Sequence, residues 1–221
     1  MKLLCIEGST DDWSVAIMDD GRVVASENHS ESNTMASQLA VTIKNTLDLA
    51  QVGFQDLDGI AIGAGPGSYT GLRIVASTAK GLCLGADLPL LAVPSLKALA
   101  METMKNDDLD FCLAMIDARR NDVFCALYDK TGREVWPTQI LTLQNNTWQS
   151  LPAGKIGLCG NGIFKLSPFS WPDIYLKGPG QCSASYLFEP ANQLFNNKAW
   201  ENLAAFSPFY LLPPNITSSK K

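Results

Sequence analysis

The chain has 221 residues, which suits one compact domain or two small ones. Its hydrophobic fraction of 46% is globular, and 17 basic against 22 acidic side chains leave a formal charge of -5, so a broadly basic nucleic-acid-binding surface is not expected. The amino terminus reaches Glu7 before any signal-like apolar run develops, and the apolar stretch 81–93 is too short for a membrane helix, which predicts a soluble cytoplasmic protein with no membrane association.

In chain order, 2–6, 13–18 and 22–29 read as strands, the last two joined by the turn Asp19-Asp20-Gly21. The period then changes: Met35, Leu39, Ile43, Leu47 and Ala50 form one stripe of a helix over 35–50. A buried strand at 59–64 leads through Gly65-Pro66-Gly67-Ser68-Tyr69 into a helix over 70–85, with Leu72, Val75, Ala76, Ala79, Leu82 and Cys83 on its apolar side. Residues 90–93 predict a strand, and Ser95 a cap for a helix running to Met104. The polar stretch 105–110 marks a candidate boundary between lobes.

Beyond it, 111–116, 123–128 and 134–143 repeat the opening three-strand order. A polar connection with a short helix over 145–155, a strand at 156–159, a helix over 182–199 despite Pro190, and a short terminal helix over 199–206 complete the reading. Pro208, Pro213 and Pro214 end regular structure, and the final Thr-Ser-Ser-Lys-Lys is expected to be mobile.

Several residues invite chemistry. Gly65 to Gly71 sits between a strand and a helix, where exposed backbone amides bind phosphate, yet it matches neither the P-loop nor the dinucleotide fingerprint. A tight structural turn explains the same residues, with Ser68 and Thr70 capping the helix and Arg73 exposed. Glu7-Gly8-Ser9-Thr10 after the first strand is a second candidate for phosphate and metal, and Asp117 opens the comparable turn of the second half, where Ala118-Arg119-Arg120 lacks a close-approach glycine. Glu7 and Asp117, each after a strand, are candidates for an acid/base pair, but turn hydrogen bonds and surface ion pairing are the more ordinary reading of Asp117, Arg119 and Arg120.

The six cysteines are widely spaced and read as small buried side chains, and the single histidine, His29, reads as a surface loop residue. Trp136, Trp148, Trp171 and Trp200 are not interleaved with basic runs, which favours packing over base stacking.

Taken together, Leu4-Cys5-Ile6-Glu7-Gly8-Ser9-Thr10, Ser14-Val15-Ala16, Gly65 through Ile74, Ala79-Lys80-Gly81-Leu82, Ile116 through Arg120 and Ser207-Pro208-Phe209-Tyr210-Leu211 resemble the TsaB family. Glu7 stands where that family commonly has aspartate, Ala64 where arginine is common, Tyr69 where phenylalanine is common and Val75 where glycine is common. The resemblance implies an α/β, two-lobed actin-like (ASKHA, ribonuclease H-like) fold with mixed central sheets. It implies an amino-terminal lobe over 1–104, a smaller, divergent lobe over 109–206 and a terminal segment over 207–221.

It further implies a non-catalytic scaffold or activator of TsaD in forming tRNA N6-threonylcarbamoyladenosine at adenosine 37, with TsaE as ATPase. TsaD then supplies the tRNA contacts and the metal-binding histidines. A partner interface is expected on the helices 35–50 and 70–85, through Leu39, Ile43, Leu47, Leu72, Arg73, Ala76, Ala79 and Lys80, with a self-dimer competing for it. No cofactor is required of this subunit; regulatory ATP or ADP with Mg at the level of the complex involves Glu7, Ser9, Gly65, Gly67 and Asp117. The alternative reading is a nucleotide-dependent actin-like small-molecule kinase or ATPase. A peptidase lacks its zincin signature and nucleophile elbow.

Overall fold

The computed structural model describes residues 1–105, 108–169 and 176–212, with the backbone alone of Ser32, Leu176 and Lys177. Trp171, Pro213, Pro214 and the terminal Thr-Ser-Ser-Lys-Lys lie outside the described residues.

The chain opens with β1 (Lys2–Glu7), β2 (Trp13–Asp19) and β3 (Arg22–His29), followed by α1 (Met35–Ala50), β4 (Gly59–Gly63), α2 (Tyr69–Ala86), β5 (Leu90–Val93) and α3 (Ser95–Met104). The first sheet has the order β3-β2-β1-β4-β5, with β1 antiparallel to β2 and parallel to β4. A second series, β6 (Phe111–Asp117), β7 (Asp122–Asp129), β8 (Glu134–Thr142), β9 (Ile156–Cys159) and β10 (Leu176–Lys177), forms the sheet β10-β9-β6-β7-β8. Its β6 is antiparallel to β7 and parallel to β9, so the two sheets share one plan.

Strand periodicity explains the packing, because alternate side chains leave opposite faces. On one face of the first sheet, Leu4, Ile6, Val15, Ile17, Ile60 and Ile62 meet Leu39 and Ile43 of α1 and Val75 and Ala79 of α2. On the other, Leu3, Cys5, Ala16, Ala61 and Leu91 meet Ala98 of α3 and a carboxy-terminal segment that contributes Ala184, Leu187, Phe188 and Ala191. The second sheet presents Cys112, Ala114, Ile116, Phe124 and Ala126 to Leu96, Leu99 and Ala100 of the same α3. Helix α3 is therefore held between the two sheets, buried at Ser95, Leu96, Ala98, Leu99, Ala100 and Thr103.

Several expectations change. The helix expected over 182–199 divides into a 3-10 turn, Ala184–Leu187, and α4 (Phe188–Asn196). Pro190 is accommodated in the first turn of α4, where its missing N–H has no intrahelical acceptor. Both pieces pack on the first sheet although they follow the second in sequence. Residues 199–206 form turns instead of a helix: Asn202 Oδ1 accepts from the backbone of Ala204 and Ala205, and Glu201 N donates to Leu90 O at the sheet edge. Ser95 is the first residue of α3 and not its cap, since Pro94 precedes the helix and the Ser95 hydroxyl is engaged by Ser9. A 3-10 helix at Asn161–Leu166 was not anticipated. His29 ends β3 half-buried, its ring stacked on buried Trp13 at 3.9 Å and 7°, so it is no loop residue. No helix among the described residues is long and apolar enough to cross a membrane.

Because Leu99 of α3 is wholly buried against the second sheet, truncation leaves a cavity at the junction of the lobes. Leu99→Ala is expected to lower stability by about 3 kcal/mol. Urea unfolding followed by tryptophan fluorescence and by far-UV circular dichroism should remain one coincident transition; separate transitions would show that the lobes do not share this helix as a common core.

Candidate functional site

Between the lobes lies a cleft of about 730 Å3. Ser9, Thr10 and Asp11 with Gly67, Ser68, Tyr69 and Thr70 form its first-lobe wall, and Asp117, Arg119 and Phe124 face them from the second. Of the five residues expected to hold a nucleotide, Ser9, Gly67 and Asp117 line the cleft, whereas Glu7 and Gly65 do not.

Glu7, at the end of β1, is 1% exposed. Its Oε1 accepts from Ser9 N at 2.7 Å, and the hydroxyls of Ser9 and Ser95, themselves 2.5 Å apart, also bond the carboxyl. Burial pushes its pKa up, with these hydrogen bonds opposing the shift. A carboxyl so enclosed is a buried acceptor and cannot reach a metal ion in the cleft.

The glycine turn is explained by close backbone approach. A Cβ on Gly67 would stand 2.1 Å from Ser9 O, and one on Gly71 2.2 Å from Gly8 O. The turn's donors are engaged internally: Ser68 N bonds Ser9 O at 2.7 Å, and Gly71 N bonds Ser68 Oγ at 3.3 Å, making Ser68 the cap of α2. Thr70, expected to share that role, is an exposed residue within the helix. Gly65, with φ of +96°, admits the carbonyl of Phe209, which would lie 2.8 Å from a Cβ there.

Across the cleft, Asp117 Oδ1 accepts from Arg119 N at 2.5 Å and pairs with Lys165 Nζ at 2.6 Å, while Asp117 N bonds Asn161 Oδ1 at 2.8 Å. Arg119 and Arg120 both adopt left-handed backbones, with φ of +74° and +47°, in place of the glycine that such a turn favours. The second-lobe turn is thus closed on its own carboxylate. On the first wall the Ser68 and Gly71 amides are taken from within the protein, and on the second Asp117 is paired with Lys165.

A terminal strap crosses the mouth of this cleft. Phe209 N bonds Ala64 O at 2.9 Å, Tyr210 packs on Tyr69 at 4.8 Å, Leu211 reaches the second-lobe core and Leu212 lines the cleft. Arg73 is exposed and donates from Nη1 to Tyr69 Oη at 3.1 Å.

The expected partner interface requires correction. Leu39, Ile43, Leu47, Leu72, Ala76 and Ala79 are all buried in the monomer's own core, because the stripe that covers the sheet is the most apolar one on each helix. Lys80 is half-buried, with Nζ donating to Phe206 O at 3.1 Å. The outward faces carry other residues. On α2 these are Arg73, Ser77, Gly81, Leu84 and Gly85; on α1, Ala40, Val41, Asn45 and Leu49. Leu84 is 78% exposed, Leu49 69% and Val41 58%. This face was legible as the residues one helical step out of phase with the buried stripe.

All six cysteines are buried, with the Cys83 and Cys125 thiols pushed up to about 12 by burial, so none is a ready nucleophile.

Two sheets of one plan facing each other across a cleft, with helices on their outer side, define an actin-like α/β protein. The fold of a glucomannokinase from Arthrobacter agrees, with a TM-score of 0.54, 8% identity and coverage of 89% of this chain and 99% of that one. A family model described as "TsaD: tRNA N6-adenosine threonylcarbamoyltransferase" matches residues 23–147. The tRNA threonylcarbamoyladenosine biosynthesis protein TsaB of Escherichia coli is 33% identical over 138 residues, covering 62% of this chain and 58% of that protein. The chain thus spans less than two thirds of that relative's length. YeaZ of Pseudomonas aeruginosa superposes with a TM-score of 0.81 at 26% identity, covering 95% of this chain and 99% of the other. The chain belongs to the TsaD family and, within it, to the TsaB group.

Two measurements address the cleft. Gly71→Ala forces a Cβ into Gly8 O and is expected to cost about 3 kcal/mol, whereas Gly81→Ala, with no atom within 4 Å, is expected to stabilise by about 1 kcal/mol. Opposite shifts in thermal midpoint would show it.

The raised pKa of Glu7 means that its protonated form is the one the fold favours. Its contribution to stability is fully present below the unfolded value near 4.5 and is lost as pH rises through the higher folded value. Glu7→Gln is therefore expected to gain stability relative to wild type as pH rises above about 4.5 in urea titrations; a constant difference would refute the buried-acid assignment.

Proposed function

We propose that this protein is a non-catalytic scaffold in the formation of tRNA N6-threonylcarbamoyladenosine, docking a TsaD-type catalytic subunit through the outward faces of α1 and α2. The observation that carries the reading is the uncovered stripe Ser77, Gly81, Leu84 and Gly85 on α2, beside Val41 and Leu49 of α1. Glycine within an exposed helix costs about 1 kcal/mol against alanine, and neither Gly81 nor Gly85 has an atom within 4 Å that repays it inside the monomer. Small residues flanked by apolar ones let a second helix pair approach closely.

A partner of the same family supports this reading, since the matched region 23–147 spans both helices and a related fold offers a related two-helix face. Two such faces meet in a pseudo-twofold pair, so a second copy of this chain competes for the same surface. Preferential binding to one arrangement of the catalytic subunit raises that arrangement's population, which is how a subunit without reacting groups accelerates a reaction. ATP or ADP with magnesium, and a TsaE-type ATPase, act at the level of the complex. The acidic charge of this chain leaves tRNA contact mainly to the partner.

Leu84→Glu and Ser77→Arg are expected to weaken binding to the cognate TsaD-type subunit by at least about tenfold, measured by titration calorimetry, with the monomer's thermal midpoint unchanged. Reconstituted tRNA modification should fall in parallel. Unaltered affinity in both variants, or full modification with this subunit omitted, would defeat the proposal.

A further inference from the structure

A second cleft, of about 630 Å3, opens between the lobes where Gly65 and Pro66 face the β7–β8 hairpin. Its walls are mostly apolar: Pro66 and Pro94 from the first lobe, Tyr128 and Pro137 from the second, and Phe209 of the terminal strap. Prolines carry no N–H, so these walls offer few backbone donors and any polar recognition falls to side chains.

Three charged side chains line it: Lys97, Arg133 and Glu134. Arg133 Nε is bonded to Asp129 Oδ2 at 3.2 Å. Glu134 Oε1 accepts from Thr138 N at 2.9 Å and from Thr138 Oγ1 at 2.6 Å. Lys97, half-buried in the first turns of α3, makes no hydrogen bond or ion pair among the described residues. Gly132 lies beside its stem, where a Cβ would come within 3.9 Å of Lys97 Cε. Lys97 thus brings an unpaired ammonium to a mostly apolar cleft, and a single anionic group from outside would pair with it.

We infer that this cleft binds a small amphipathic monoanion, an aromatic or branched apolar body bearing one carboxylate or sulfonate, with the anionic group on Lys97 and the body against Phe209, Tyr128 and the prolines. The volume falls within the range of about 300–1,000 Å3 usual for small-molecule sites, and the ratio of apolar wall to charge is that of such sites. Both lobes and the strap contribute wall, so occupancy favours the lobe arrangement seen in the structure. The inference stands apart from the docking role of α1 and α2.

The probe is 8-anilinonaphthalene-1-sulfonate, titrated into the full chain under native conditions with near-UV circular dichroism confirming the fold. Saturable binding of one equivalent is expected. Lys97→Met, which keeps the apolar stem, should weaken it at least about tenfold, Lys97→Arg should stay within about threefold, and Phe209→Ala should weaken it with Lys97 intact. Exposed Arg22→Met should leave it unchanged. Unsaturable binding, equal affinity in Lys97→Met, or equal affinity for neutral N-phenyl-1-naphthylamine would overturn the assignment.

Discussion

Everything in the molecule is arranged around α3 and what it must satisfy on two sides. Ten residues supply Ala98 to the first sheet and Leu96, Leu99 and Ala100 to the second, so neither sheet can be displaced without exposing part of that helix. The helix is short, and small side chains on one flank allow the first sheet to approach while leucines on the other reach the second. The relative placement of the lobes, and hence the shape of both clefts, follows from that packing more than from contacts across the cleft mouth.

The glycine turn shows how one local sequence serves two ends. A strand-to-helix turn rich in glycine presents amides that bind phosphate when they face outward. Here Gly67 and Gly71 bring the turn so near Gly8 and Ser9 that the carbonyl of Ser9 takes the Ser68 amide. Opposite, Asp117 occupies the Arg119 amide and a lysine. In this turn the Ser68 and Gly71 amides thus help to hold the cleft wall together.

Much of the fold was legible because its signals are local. The helix over 35–50 and the strands at 90–93 and 156–159 are bounded as their periodicity and turn residues imply. What could not be read were the consequences of tertiary contact. The stretch 199–206 has helix-forming composition, yet Asn202 takes two backbone amides and Glu201 bonds the edge of β5, so the chain is drawn into turns. Ser95 has the chemistry of a cap, but the hydroxyl of Ser9 lies nearer to hand. The interface residues failed for a different reason: an apolar stripe signals burial without saying against what, and Ala76 and Ala79 found their burial inside the monomer. The outward face of α2 was carried by the weaker signal, glycines and a leucine where a solvated helix would hold charge.

The order in which the chain closes on itself bears on how it is made. One face of the amino-terminal sheet is covered by α4 and the turn before it, and its edge is met by Glu201, all more than ninety positions downstream of β5, the sheet's last strand. During synthesis that sheet has its α1–α2 side early but keeps part of the face bearing Leu3, Ala16 and Leu91 open until residues 184–191 have emerged. Such long-range closure slows folding.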